Sequence, residues 1–257
     1  MTTPLLEGGP GPGADPRRRL GIVQLSVIGF FCVSGGVYGS EALVSAAPPL
    51  MMCTFTLSVA VFFALPNALM TAEMATAFPA DGGAVAWVRA AFGPTLGLHH
   101  AVWVIVTSLL DAAVYPQLAA LYLTRGFSVN GWLAEQGIVI GFILAVGAMN
   151  LCGLDVVAAS QTVAFVVSLV PCLAFTAIGL PSLDLEVVLS MEGRTDWALL
   201  LSWALWLYSG FSSLGSMAGE VARPQRTYPV VVALLLPLVT LLNLLPFVVA
   251  LSLDPVA

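Results

Sequence analysis

Lysine is missing from all 257 residues, which leaves eight arginines and the adjacent pair His99–His100 as the basic side chains. The arginines form no stripe and the formal net charge is −6, which excludes a nucleic-acid partner. Charge of either sign is scarce, at 9% of residues. Soluble domains carry about 25%, so an ordinary soluble fold is excluded. The four cysteines (Cys32, Cys53, Cys152, Cys172) lie inside apolar runs at no metal-binding spacing and read as buried free thiols. No metal site and no cofactor are expected. His99 and His100 stand near a span end without a serine, cysteine or metal constellation at a shared depth, so an enzyme is not expected. The apolar runs lack the period-two alternation that a β-barrel requires.

What the chain has is apolar length. Hydrophobic residues make up 59% and the mean hydropathy is +0.99. Several runs reach about 20 residues, enough to cross a bilayer. The expected class is an all-α polytopic membrane protein. Residues 1–16 are rich in Gly and Pro and read as a disordered tail. They are no cleavable signal, because the first apolar run is too long and lacks a cleavage site. The domain plan is a tail over 1–19, five spans over 20–180 (about 20–47, 50–75, 96–123, 137–154 and 157–180), and two more spans over 198–253. A polar connector with Asp81-Gly82-Gly83 and Arg89 follows span 2. With the amino terminus in the cytoplasm, Arg17, Arg18, Arg19, Arg89, Arg223 and Arg226 fall inside and only Arg125 and Arg194 outside. The positive-inside rule favours that orientation.

Spans 1 and 6 are interrupted. Span 1 carries Ser34-Gly35-Gly36-Val37-Tyr38-Gly39-Ser40-Glu41 at mid-depth. Each Gly costs a continuous helix about 1 kcal/mol relative to Ala. A lipid-facing Glu41 costs several kcal/mol more. Irregular backbone and charge at this depth belong where they line a buried or watery cavity. Span 6 repeats the anomaly at Ser209-Gly210-Phe211-Ser212-Ser213, five spans later. Interrupted helices at matching positions of two halves point to an inverted-repeat transporter with a midplane site. Close helix packing by small residues accounts for either span alone better than for the pair.

The residues then suggest chemistry. Glu41 in span 1 and Asp111 in span 3 have no Arg within any span as a partner. Each must be protonated, hydrated or paired with a bound cation. That favours a cationic substrate, a proton-coupling role, or both. Tyr38, Tyr115, Trp206, Tyr208 and Phe211 are the aromatics near the breaks that would wall such a site. Glu73, Glu220, Arg223 and Arg226 stand at cytoplasmic span ends as gate candidates or as ordinary solvated termini.

Val33-Ser34-Gly35-Gly36-Val37-Tyr38-Gly39-Ser40-Glu41 with Ala46-Ala47-Pro48-Pro49-Leu50 resembles span 1 of the amino acid–polyamine–organocation superfamily. The likeness is to its polyamine uptake branch, related to the L-type amino acid transporters. Pro66 to Glu73, Phe78 to Gly83, Asp111 to Pro116 and Ala218 to Pro229 carry the same resemblance. It implies a five-plus-five inverted repeat, of which this chain holds the first repeat and the start of the second, with spans 1 and 6 broken. It implies a secondary active, proton-linked transporter of polyamines or amino acids working by alternating access. Sodium is the other coupling ion to consider. The substrate site is expected at Ser34, Gly35, Gly36, Tyr38, Glu41, Asp111, Tyr115, Ser209, Gly210, Phe211 and Ser212. Ser212 and Ala42 stand where the branch commonly has acids. Some relatives use a basic residue in span 5, which here has no ionisable group besides Cys172. The plasma membrane is the expected location and the lipid bilayer the expected surrounding. The chain ends after span 7, so the alternative is a truncated, transport-inactive interaction or regulatory protein, or a fragment of a larger carrier.

Overall fold

In a computed structural model of the chain, residues 20–34, 38–129, 131–152 and 154–253 are described. The protein is an all-helical, multi-pass integral membrane protein. Six helices are long and apolar enough to cross a bilayer: Pro49–Ala77, Pro94–Gly126, Trp132–Leu151, Ala159–Ser182, Trp197–Met217 and Pro224–Leu253. Span 1 is shorter. Its helix runs over Ile22–Val33, and the next helical turn among the described residues is Glu41–Leu43. The sequence suggests two halves reaching Ala47; among the described residues the second is a tight 3₁₀ stretch whose i→i+3 bonds run from Ser40 to Ala46. The tail before Leu20, Gly35 and Gly36 lie outside the described residues.

Proline shapes several spans. Pro66 lacks the N–H that would bond residue 62, and its ring crowds that carbonyl. A wider π-helical turn over Ala60–Ala64 absorbs the misfit inside span 2. In span 7, Pro246 likewise frees the carbonyl of Leu242. The Cys172 thiol of span 5 takes it at 3.4 Å, so a polar group within the membrane is not left bare.

Span 3 occupies Pro94–Gly126, longer at both ends than its apolar run suggests. The connector is not a plain polar link. It forms a helix over Gly83–Phe92 that packs on the start of span 3 and on span 6. Span 6 begins at Trp197, where the Asp196 carboxylate accepts from the Leu199 N–H at 3.0 Å, an N-terminal cap. Its α-helix stops at Trp206, and tighter 3₁₀ turns continue over Ser209–Met217.

Spans 1, 2, 6 and 7 enclose the apolar core, with Phe30, Leu43, Met52, Leu200, Tyr208, Phe211, Tyr228 and Leu235 buried in it. Spans 3, 4 and 5 stand around it with most of their side chains outward. The ends of spans 1 and 6 are joined by backbone. Leu20 donates to the Glu220 carbonyl at 3.0 Å and accepts from Ala222 at 2.9 Å.

Candidate functional site

A cavity of about 730 Å³ lies between spans 1, 3 and 6, and the start of the connector lines it as well. The span 1 helix ends in its wall at Cys32, Val33 and Ser34. The span 6 helix ends there too, at Trp206, followed by Ser209 and Gly210. The last carbonyls of a helix lack intrahelical partners and carry the negative end of its dipole. Two such ends therefore face one cavity. They meet because residue 210 has no side chain: a Cβ there would sit 1.7 Å from the Cys32 carbonyl oxygen.

Asp111 of span 3 faces this junction. Trp206 Nε1 donates to Asp111 Oδ1 at 3.2 Å, and Tyr115 Oη donates to Oδ2 at 3.3 Å. Asp111 and Tyr115 meet because residues four apart share a helix face. Hydroxyls from Ser34, Thr107, Ser108, Ser209, Ser212, Ser213 and Ser216 line the rest. No Arg or His lines the cavity among the described residues. The arrangement offers one carboxylate, two negative helix ends and a row of neutral hydroxyls. It suits a cation and gives an anion no charged partner.

Of the residues singled out in the sequence, Ser34, Asp111, Tyr115, Ser209, Gly210 and Ser212 share this cavity. Gly35 and Gly36 are outside the described residues. Phe211 is fully buried in the core and does not line the cavity. Tyr38 and Glu41 lie apart from it. The Tyr38 hydroxyl donates to the Ser168 carbonyl of span 5 at 3.1 Å. The Tyr122 hydroxyl of span 3 donates to Glu41 and accepts from the Gly39 N–H at 2.9 Å. Among the described residues no ion pair joins Glu73, Glu220, Arg223 and Arg226. What holds that end is the backbone pairing of Leu20 with Glu220 and Ala222.

Two residues escaped the sequence reading, and a third has a different role. Tyr122 repeats the Asp111–Tyr115 face one heptad after Tyr115, a periodicity that would have flagged it. Asn243 is an amide deep in the apolar part of span 7, and an intramembrane polar residue is itself a signal. It is fully buried and donates to Ser34 Oγ at 2.9 Å and to the Val239 carbonyl at 2.8 Å. Trp206 read as an aromatic wall, whereas its indole N–H is a partner of Asp111.

Comparison with known proteins agrees with this architecture. "Polyamine transporter PUT1" of Oryza sativa subsp. japonica is 34% identical over 242 residues, covering 90% of this chain and 45% of the relative. "Polyamine transporter RMV1" of Arabidopsis thaliana is 30% identical over 229 residues, covering 85% and 46%. An uncharacterized transporter of Mycobacterium tuberculosis is 29% identical over 224 residues, covering 83% and 48%. The chain spans about half the length of the curated relatives it matches. The family model described as "Amino acid permease" matches residues 24–255, and the chain belongs to that family.

Proposed function

We propose that this chain carries the substrate-holding part of a secondary active transporter for organic cations, with polyamines first among them. The observation that carries the reading is Asp111: a carboxylate open to a cavity that also receives the negative ends of two helices and, among the described residues, no cationic side chain. Substrate sits between the interruptions of spans 1 and 6, with an ammonium group on Asp111 and polar groups along the serines. Alternating access, a five-plus-five inverted repeat and a cytoplasmic amino terminus belong to this reading. The paired interruptions and the arginine distribution support it. So do the names of the plant relatives.

Equilibrium binding of 1,4-diaminobutane, arginine and leucine to the detergent-solubilised chain tests it. The diamine is expected to bind, arginine to compete, and leucine to bind least. Asp111→Asn is expected to weaken the diamine at least tenfold, the loss of one charge-assisted contact of about 1.5–3 kcal/mol. Leucine binding tighter than the diamine, or an unchanged diamine affinity in Asp111→Asn, would refute the assignment.

A further inference from the structure

We infer that Asn243 of span 7 is a positioning residue for the cavity: without lining it, the amide fixes the Ser34 hydroxyl in its wall and so sets ligand affinity from outside. This role rests on the cation reading above, and adds to it a residue that touches no substrate.

Ser34 needs an outside hold. It is the C-cap of the span 1 helix, and its N–H donates to the Phe30 carbonyl at 3.0 Å. Helix ends fray, because their last residues are held from one side only. Ser34 nevertheless stands in the cavity wall together with Asp111.

Asn243 supplies that hold. Its Nδ2 lies 2.9 Å from Ser34 Oγ and 2.8 Å from the Val239 carbonyl oxygen. A carbonyl can only accept, so the amide nitrogen must face this pair. Oδ1 then faces away, buried and with no hydrogen-bond partner among the described residues. A buried acceptor left bare is costly, and a leucine of similar size would avoid that cost. The Val239 carbonyl has no need of the amide, since the helical ladder of span 7 already serves it. What asparagine gives here and leucine would not is therefore the bond to Ser34. Asn243 itself is fully buried and does not line the cavity.

One turn earlier, on the same face of span 7, Thr240 makes the matching contact. Its Oγ1 accepts from Tyr208 Oη at 3.3 Å. Tyr208 lies two residues beyond Trp206, where the span 6 helix ends and where the indole meets Asp111. A single turn of span 7 thus grips the ends of both interrupted helices.

A double-mutant cycle on the solubilised 257-residue chain tests this, with Asn243→Leu, Ser34→Ala and the two together. The readouts are the Kd of 1,4-diaminobutane, the Tm, and hydrogen exchange of a peptide spanning residues 28–34. Asn243→Leu is expected to weaken the diamine about three- to tenfold, the worth of one neutral hydrogen bond. Its Tm is expected to hold or rise, because the bare Oδ1 goes with the amide. Ser34→Ala is expected to weaken the diamine by at least as much, and the double variant no further than Ser34→Ala alone. Losses that multiply in the double variant would show that Asn243 acts by another route, and would overturn the positioning role. A lower Tm with unchanged Kd and unchanged exchange would leave Asn243 as packing alone, and would overturn it too. If the wild-type chain binds no diamine, the cation reading falls and hydrogen exchange decides the positioning by itself. Exchange over 28–34 should then quicken about three- to tenfold in Asn243→Leu and not quicken again when that change is added to Ser34→Ala. Unchanged exchange would refute the hold on Ser34. Should Asn243→Leu fail to fold, Asn243→Ala takes its place in the same cycle.

Discussion

Gly210→Ala is the sharpest perturbation the structure offers. The added Cβ would lie 1.7 Å from the Cys32 carbonyl oxygen, 2.6 Å from the carbonyl carbon and 3.0 Å from Val33 Cα. All three are backbone atoms, so no side chain can rotate away. Bringing the closest contact out to 3.0 Å, the limit of real Cβ atoms, requires spans 1 and 6 to part by about 1.3 Å. Spans 1 and 6 are also joined by backbone at Leu20, Glu220 and Ala222, so the separation concentrates at the cavity. Overpacking of a core costs about 1–3 kcal/mol even where side chains can adjust, and with backbone on both sides the upper figure is the expected minimum. At about 2–4 °C per kcal/mol for a chain of this size, the apparent Tm should fall by roughly 6–12 °C. The assay is tryptophan fluorescence during a fixed-rate thermal scan in one detergent. Gly141→Ala is the control, since an added Cβ there meets nothing within 4 Å. Inside a helix that exchange is neutral or favourable by up to about 1 kcal/mol. Equal Tm values for the two variants would refute the close crossing of the interrupted spans.

The other ties give smaller and separable effects. Tyr122→Phe strips the partner from Glu41 and from the Gly39 N–H. It should lower Tm by roughly 2–8 °C, for about 1–2 kcal/mol, and leave the diamine Kd unchanged. A tenfold weaker Kd would return Glu41 to the substrate site. Asp81→Ala removes the acceptor of the Gly219 N–H, now held at 3.0 Å. Hydrogen exchange of a peptide spanning residues 214–221 should then quicken about 5–30-fold, the equivalent of 1–2 kcal/mol. Unchanged exchange would show that the connector contact is idle. Cys172→Ser keeps a donor for the Leu242 carbonyl freed by Pro246 and should leave Tm within about 2 °C, whereas Cys172→Val should lower it by roughly 2–4 °C. Equal Tm values for the serine and valine variants would remove the thiol from that role.

The membrane class was legible from apolar length alone, because a bilayer-spanning helix must be long and apolar whatever it packs against. The interruption of span 6 was legible as well: the Ser209-Gly210 step follows the end of the α-helix at Trp206. Asp111 and Tyr115 share a face by helical period, which a sequence displays directly. Glu41 is the instructive difference. Its place near the substrate assumes that helix resumes at once after Gly36. Residues 38–40 are not helical, and the next helical turn in the described residues opens at Glu41. Residues outside a helix advance up to about 3.3 Å each instead of 1.5 Å, so closeness in sequence to Ser34 does not mean closeness in space. The connector helix was hidden for a different reason. It opens on two glycines and is only ten residues long, so contact with spans 3 and 6 decides it more than its own propensity does.

The side-chain hydrogen bonds on the two sides of the span 1 interruption go to different neighbours, although Phe30 also packs edge-on against Phe165 of span 5 and Ala46 also accepts from the Asp196 N–H of span 6. Before it, Leu20 is paired with the end of span 6, and Ser34 accepts from Asn243 of span 7. After it, Tyr38 donates to span 5, and Gly39 and Glu41 are bound by Tyr122 of span 3. An unbroken helix through this stretch would transmit every displacement of spans 6 and 7 rigidly to spans 3 and 5. A stretch with no helix over residues 38–40 can change its dihedral angles without breaking either set of hydrogen bonds. The cavity lies on the side held by spans 6 and 7, yet its carboxylate comes from span 3. The Trp206–Asp111 hydrogen bond is therefore a direct polar link between the two sets at the cavity. On the reading proposed above, a cation on Asp111 sits where the two sets meet.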